Sequence, residues 1–291
     1  MRNVNMQDAN TVILPRDTEK ADIERGSLFF IGTATTLLRY AGFTILTDPN
    51  FLHQGEYISM GYGVKTQRLT NPAIDMEQLP SLDLVVLSHM HEDHFDRLVA
   101  ERLDKATPIV TTSQASIALR RKCFSQTFPL RTWETLTVVK GDNLLRITAM
   151  PGKHGPGVLA SAMPEVMGSM LEFQNQAGKT MFCIYITGDT LFYEQLKEIP
   201  QHYPDVNLAL IHLGGTQILG VMVTMDALQG IETIKLIDPE RAIPIHYNDY
   251  PVFRSPLDDF KQVVAESGLD AQVGYLGHGE TYTFEIPASR R

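Results

Sequence analysis

Short apolar runs, cut by Gly, Pro, Asn and Asp, recur along this chain and alternate with stretches whose apolar residues stand three and four apart. The first pattern is that of buried strands and the second that of amphipathic helices. Strands are predicted at 27–31, 35–39 and 43–47, with Ala41 and Gly42 turning a hairpin between the last two. Leu84, Val85, Val86 and Leu87 predict another buried strand. Phe95, Leu98, Val99 and Leu103 place a helix over 95–105, followed by a strand at 108–111 and a helix at 113–122 with Ser113 as its N-cap. Strands at 128–131, 136–140 and 144–150 follow, the last two joined by the turn Gly141, Asp142, Asn143.

In the second half, strands at 169–174 and 180–187 flank the turn residues 175–179. A helix at 192–199, a strand at 206–211, and a helix at 225–237 with Asp226 in its first turn come next. A strand at 242–245, a helix at 257–267 and a terminal strand from Gln272 onward complete the pattern. Strand blocks and helices in both halves predict an α/β architecture, two sheets faced outside by helices, in one domain over 25–291. Residues 1–24 read as a loosely ordered N-terminal arm. The long connection 51–80 carries Gly55, Gly61, Gly63, Tyr57, Ile58, Met60 and Tyr62. It reads as a lid or one wall of a substrate pocket, or else as ordinary surface packing.

Composition narrows the function. A net charge of −9 disfavours nucleic acid, whose binding needs a basic field. No apolar segment is long enough to span a bilayer, and no apolar core follows a basic N-terminus as in a secretory signal. Two cysteines far apart, Cys123 and Cys183, indicate no disulfide framework and fit a reducing cytoplasm. The expected partner is a small-molecule substrate, and a homo-oligomer is compatible with the chain.

The chemistry gathers where the 84–87 strand ends. His89, His91, Glu92, Asp93 and His94 follow it directly, and imidazole nitrogen with carboxylate oxygen suits zinc and similar divalent ions. The pattern then repeats, with strands ending at His154, Asp189, His212 and His246, each beside Gly or in a sharp turn where side chains converge. Asp48, before Pro49, is either a turn residue or a carboxylate that orients a ligand.

With His89, His91, Asp93 and His94 in the order His-x-His-x-Asp-His, followed by His154, Asp189 and His246, the sequence resembles the metallo-β-lactamase superfamily. Leu46 to Pro49, Thr187 to Thr190, Leu213 to Gly215 and Ile243 to Tyr247 make it most similar to the branch holding L-ascorbate-6-phosphate lactonase and N-acyl-phosphatidylethanolamine phospholipase D. The resemblance implies a four-layer αβ/βα sandwich and two divalent metal ions, zinc first, with Mn2+ or Fe2+ accepting the same donors. It implies His89, His91 and His154 at one ion, Asp93, His94 and His246 at the other, and Asp189 bridging. The implied reaction is hydrolysis of a small-molecule lactone or ester by metal-bound hydroxide, with Asp93 orienting the water. A phosphodiesterase of the phospholipase D kind is the alternative, and an iron-dependent sulfur dioxygenase a more distant one.

Three positions depart from that branch. Thr33 stands where a His often follows the glycine. His212 and His278 are extra, and each reads as a proton donor to the leaving group or as a structural loop histidine; His212 joins Asp93 as a catalytic candidate. No arginine cluster lies near the motifs in sequence, only Lys153 and Arg254, which tilts the expectation toward lactone or ester.

Overall fold

Strand after strand carries apolar residues on both faces, and that decides the layering. In the computed structural model, which describes residues 10–16, 18, 21–61, 63–157, 160 and 162–291, the first half contains β1 (Thr11–Leu14), β2 (Arg25–Gly32), β3 (Thr35–Tyr40), β4 (Phe43–Thr47), β5 (Tyr57–Ser59), β6 (Lys65–Gln67), β7 (Leu84–Val86), α1 (Arg97–Arg102), β8 (Ile109–Thr111), α2 (Ser113–Arg121) and β9 (Thr127–Pro129). The second half adds β10 (Thr135–Lys140), β11 (Asn143–Met150), β12 (Gly168–Gln174), β13 (Thr180–Ile186), α3 (Ile199–His202) and β14 (Leu208–His212). Then come β15 (Gly214–Ile218), β16 (Val221–Met222), α4 (Ala227–Ile237), β17 (Arg241–Ile245), β18 (Phe253–Ser255), α5 (Leu257–Ser267) and β19 (Thr281–Glu285).

Two seven-stranded sheets, β19-β2-β3-β4-β7-β8-β9 and β1-β10-β11-β12-β13-β14-β17, face each other. Side chains alternate along a strand. Leu28, Leu38, Ile45, Leu84 and Val86 therefore meet Leu171, Ile184, Leu210 and Ile243 in the central core. The residues between them, Leu37, Leu46, Val85 and Leu87, pack outward with Val99, Ala115 and Leu119 of α1 and α2. Tyr185, Ala209 and Ile211 likewise pack outward on Ile231, Ile234 and Phe260 of α4 and α5. The result is the expected four-layer αβ/βα sandwich, the metallo-β-lactamase fold. No helix among the described residues is long and apolar enough to cross a membrane.

Parallel pairing brings the chemistry to one rim. β4, β7 and β8 run parallel, with Thr47 beside Val86. β13, β14 and β17 also run parallel, with Ile186 beside Leu210 and His212 beside Ile245. Their C-terminal ends lie together, where ligands of α/β sheets gather.

Several expected boundaries moved. Thr11–Leu14, inside the stretch expected to be loose, is an edge strand parallel to β10; residues 1–9 lie outside the described residues. The helix predicted at 95–105 starts only at Arg97, because Asp96 takes the N-cap position and accepts from Val99 N. Thr112, not Ser113, caps α2 by accepting from Ala115 N, and Asp226 caps α4 instead of joining its first turn. Residues 192–199 hold a 3-10 turn, Glu194–Glu198, leading into α3. The terminal strand begins at Thr281, with only an isolated bridge at Val273 before it. The hairpin β5–β6 and the small sheet β16-β15-β18 have no counterpart in the periodicity, because their strands are short and carry no continuous apolar run.

Candidate metal centre

Beyond β7 the chain turns tightly, His94 N and Phe95 N both donating to His91 O. The turn points His89 and His91 inward. His154 arrives from the segment after β11. His89 Nε2 lies 3.0 Å from His91 Nδ1, and His154 Nε2 lies 3.2 Å from that same atom. Tetrahedral bonds of about 2.0–2.1 Å place ligand nitrogens roughly 3.3 Å apart, so the trio has the spacing of a coordination face. His154 Nδ1 stands 3.0 Å from Val223 O. A carbonyl only accepts, so Nδ1 carries the proton and Nε2 offers its lone pair.

A second group, Asp93, His94, Asp189 and His246, adjoins the first. His94 Nε2 lies 3.4 Å from Asp189 Oδ1 and 3.9 Å from Asp93 Oδ2, and His246 Nε2 lies 3.4 Å from Asp93 Oδ2. His246 Nδ1 donates to Leu213 O at 3.0 Å, again leaving Nε2 free. Thr224 Oγ1 donates to Asp189 Oδ2 at 2.8 Å. Asp93 Oδ1, His94 Nε2 and Asp189 Oδ1 are buried without a hydrogen-bond partner. Orphaned polar atoms of this kind are rare in folded proteins and call for an explanation. Lone pairs of this second group aimed at a shared space supply one, a setting able to hold a cation. His89 and His94, one from each group, pack with ring centroids 4.2 Å apart.

The electrostatics agree with the geometry. Burial and the neighbouring imidazoles hold His89 well below the ordinary histidine value, and burial with His154 holds His91 down at about 3, so both are neutral donors. Burial pushes Asp189 up, but His246, His94 and His89 outweigh it and keep the carboxyl well below its usual range. Burial opposes charge on His94, yet Asp189, Asp93 and Asp48 raise it well above the ordinary value. That is the mark of a position surrounded by carboxylates and suited to a cation.

Asp48 lies buried against His94 and Ser88. Its Oδ1 accepts from Ser88 N at 2.8 Å and Ser88 Oγ at 2.9 Å, and lies 3.5 Å from His94 Nδ1. His212 Nε2 faces Asp48 Oδ2 at 3.5 Å, while Nδ1 lies 3.2 Å from Thr187 Oγ1. His212 stacks on His94 at 5.9 Å, on the Asp48 side. Of the two readings of His212, proton donor or structural histidine, these contacts make the ring a partner of Asp48. His278 sits further off, with Nε2 3.4 Å from Asp249 Oδ1 and its ring edge-on to Phe30.

The backbone is bent to serve these contacts. Thr33, Asp48 and His246 all have left-handed φ, from +36° to +64°, and such residues cluster at functional sites. His246 N donates to Thr33 O at 2.6 Å. Gly214 has φ +98°, and a Cβ there would come within 2.7 Å of His246 O, which explains the glycine after Leu213.

The described residues between 51 and 68 pack over this rim. Leu52, Ile58 and Met60 are buried against Ile218, Val223, Tyr250 and Phe253. The Phe253 ring lies 4.4 Å from His246. The same segment delivers Arg68, which sequence reasoning missed: a lone arginine in a polar connection carries no periodicity or motif. It is almost wholly buried, and its Nη1 donates to Asn50 O at 3.0 Å and to Asn50 Oδ1. A basic residue does therefore stand beside the motifs, supplied by tertiary folding.

Comparisons with known proteins agree with this architecture. The family model for the beta-lactamase superfamily domain matches residues 44–247. UPF0173 protein YddR of Bacillus subtilis is 26% identical over 266 residues, 87% of this chain and 98% of its own. UPF0173 metal-dependent hydrolase NEQ378 of Nanoarchaeum equitans is 26% identical over 210 residues, 72% of this chain and 89% of its own. Among solved structures, the isothiocyanate hydrolase from Delia radicum gut bacteria superposes with a TM-score of 0.75 at 20% identity, covering 89% of this chain and 100% of its own. Igni18, a metallo hydrolase of Ignicoccus hospitalis, reaches 0.64 at 25% identity over 90% and 100%.

Proposed function

Because this chain belongs to the beta-lactamase superfamily, we propose that it is a metal-dependent hydrolase whose seven convergent side chains hold two divalent ions, zinc first among them. The observation that carries the reading is the set of buried, unpartnered Asp93 Oδ1, His94 Nε2 and Asp189 Oδ1, beside His91 Nδ1 with the Nε2 atoms of His89 and His154 at 3.0 and 3.2 Å from it. His89, His91 and His154 would hold one ion, Asp93, His94 and His246 the other, with Asp189 between them. Such ions, when bound, lower the pKa of water toward neutrality and polarise the oxygen of the bond to be broken.

The chain's own residues do the rest. Thr224 fixes one Asp189 oxygen and turns the other inward. Val223 O and Leu213 O set the tautomers of His154 and His246. Ser88, Asp48 and His212 hold His94 from behind. Asp93 would orient the attacking water while remaining a ligand. Leu52, Ile58, Met60 and Phe253 exclude bulk water, which strengthens every charge interaction inside. A small lactone or carboxylic ester is the substrate class we assign, in keeping with the lactonase-like motifs around Asp48, Asp189 and His246. Arg68 favours a phosphodiester as the second reading, since a buried guanidinium suits an anionic substrate. Both cysteines are free thiols, which supports a cytoplasmic site of action.

Metal analysis of protein purified without chelator should find two ions per chain. Fewer than one would overturn the two-ion proposal. A panel of lactones, aryl esters and bis-aryl phosphodiesters then identifies the bond cleaved, with Asp189→Ala as the control.

A further inference from the structure

Arg68 is a buried cation with more than half of its N–H donors unspent. Nη1 is tied to Asn50, but Nε and Nη2 have no partner, and the side chain makes no ion pair among the described residues. The two free groups share one edge of the guanidinium, the fork that binds a carboxylate or phosphate through two parallel hydrogen bonds. Leaving those donors buried and empty is costly, and more so because they are charged.

The free edge lies by the metal-binding rim. Nη2 sits 3.2 Å from where a Cβ on Gly32 would be, and the next residue, Thr33, accepts from His246 N. Thr33 Oγ1 is also buried and unpartnered. Asn50, which holds Nη1, donates to Glu92 O inside the His-rich turn and accepts from Tyr250 Oη at 3.2 Å. Asp249 is not the missing partner: its oxygens are engaged by Thr33 N, Thr70 Oγ1 and His278. We propose that the Nε–Nη2 edge of Arg68, with the Thr33 hydroxyl, anchors an oxyanionic group of the substrate, so that this enzyme selects substrates carrying a carboxylate or phosphate. The proposal rests on the hydrolase reading and narrows its substrate class.

Binding tests it without turnover. The metal-replete full-length protein is titrated calorimetrically with dicarboxylates from malonate to adipate and with their monoamides, and with phosphonoacetate as the phosphate-like probe. Wild type is expected to bind at least one dianion roughly 10- to 100-fold more tightly than its amide counterpart, the worth of a charge-assisted contact. Arg68→Lys, which keeps the charge but loses the fork, and Arg68→Met should erase that preference. Phosphonoacetate bound more tightly than malonate assigns the edge to phosphate, and the reverse assigns it to carboxylate. No preference for a dianion in wild type, or a preference retained in Arg68→Lys, overturns the proposal; where Arg68→Met does not fold, Arg68→Lys decides. These probes contain no ester, lactone or phosphodiester bond, so a silent hydrolysis panel refutes the reaction class and leaves the anchor result readable.

Discussion

Removing the Asp189 carboxylate would leave His94 and His246 facing a gap and Thr224 without its acceptor. Asp189→Ala should therefore drop below one metal ion per chain by elemental analysis and lose hydrolysis to background. Thr224 acts one step back. Thr224→Val should cost about 10- to 100-fold in metal affinity or activity, the range for partners of metal ligands, and Thr224→Ser should restore it because the hydroxyl suffices. Asp48→Asn belongs to the same range, since it weakens the contacts to Ser88, His94 and His212 together. Asp249 gives a pH test away from the ligands. Burial raises its pKa, but His278, Thr70 and Arg68 pull it below the usual carboxylate value. A carboxyl depressed in the folded state stabilises above its unfolded pKa of about 3.9, and that stability is lost as pH falls through the folded pKa. Asp249→Asn should flatten the acid limb of a stability-versus-pH curve measured by denaturant unfolding; an unchanged limb would refute the assignment.

Between residues and the whole lie the segments that carry them. Asp96 shows how one side chain can join two segments: Oδ1 caps α1 at Val99 N, while Oδ2 accepts from Phe51 N and Leu52 N. Asp96→Ala removes a cap and strands two buried amides, at about 3 kcal/mol or more in chemical denaturation. The β5–β6 hairpin depends on few apolar anchors. Ile58→Ala should cost about 2–5 kcal/mol and speed proteolysis within residues 53–63 before the core yields. Cleavage there at the wild-type rate would show that the hairpin is held by something else. The strands were legible because β7, β13, β14 and β17 are continuous apolar runs, the pattern of strands buried on both faces. The hairpin β5–β6 and sheet β16-β15-β18 were not, since their strands are short and lack a continuous apolar run.

At the scale of the molecule, seven donors drawn from separate segments meet only in the folded chain, so metal binding and folding are linked. Saturation with Zn2+ should raise the melting temperature by roughly 5 °C or more over chelator-treated protein, and an unchanged value would argue against a built site. The sequence by itself determined the chemistry at this rim. His89, His91, Asp93 and His94 stand within one turn, His154, Asp189 and His246 each follow a strand, and the resemblance to the metallo-β-lactamase superfamily joins the two groups into one expected site. Only the tertiary structure decided what surrounds the ligands. It put Asp48 behind His94, turned His212 onto Asp48, and carried Arg68 from a featureless connection to the site's edge. Those placements depend on packing between distant segments, for which a linear sequence holds no period.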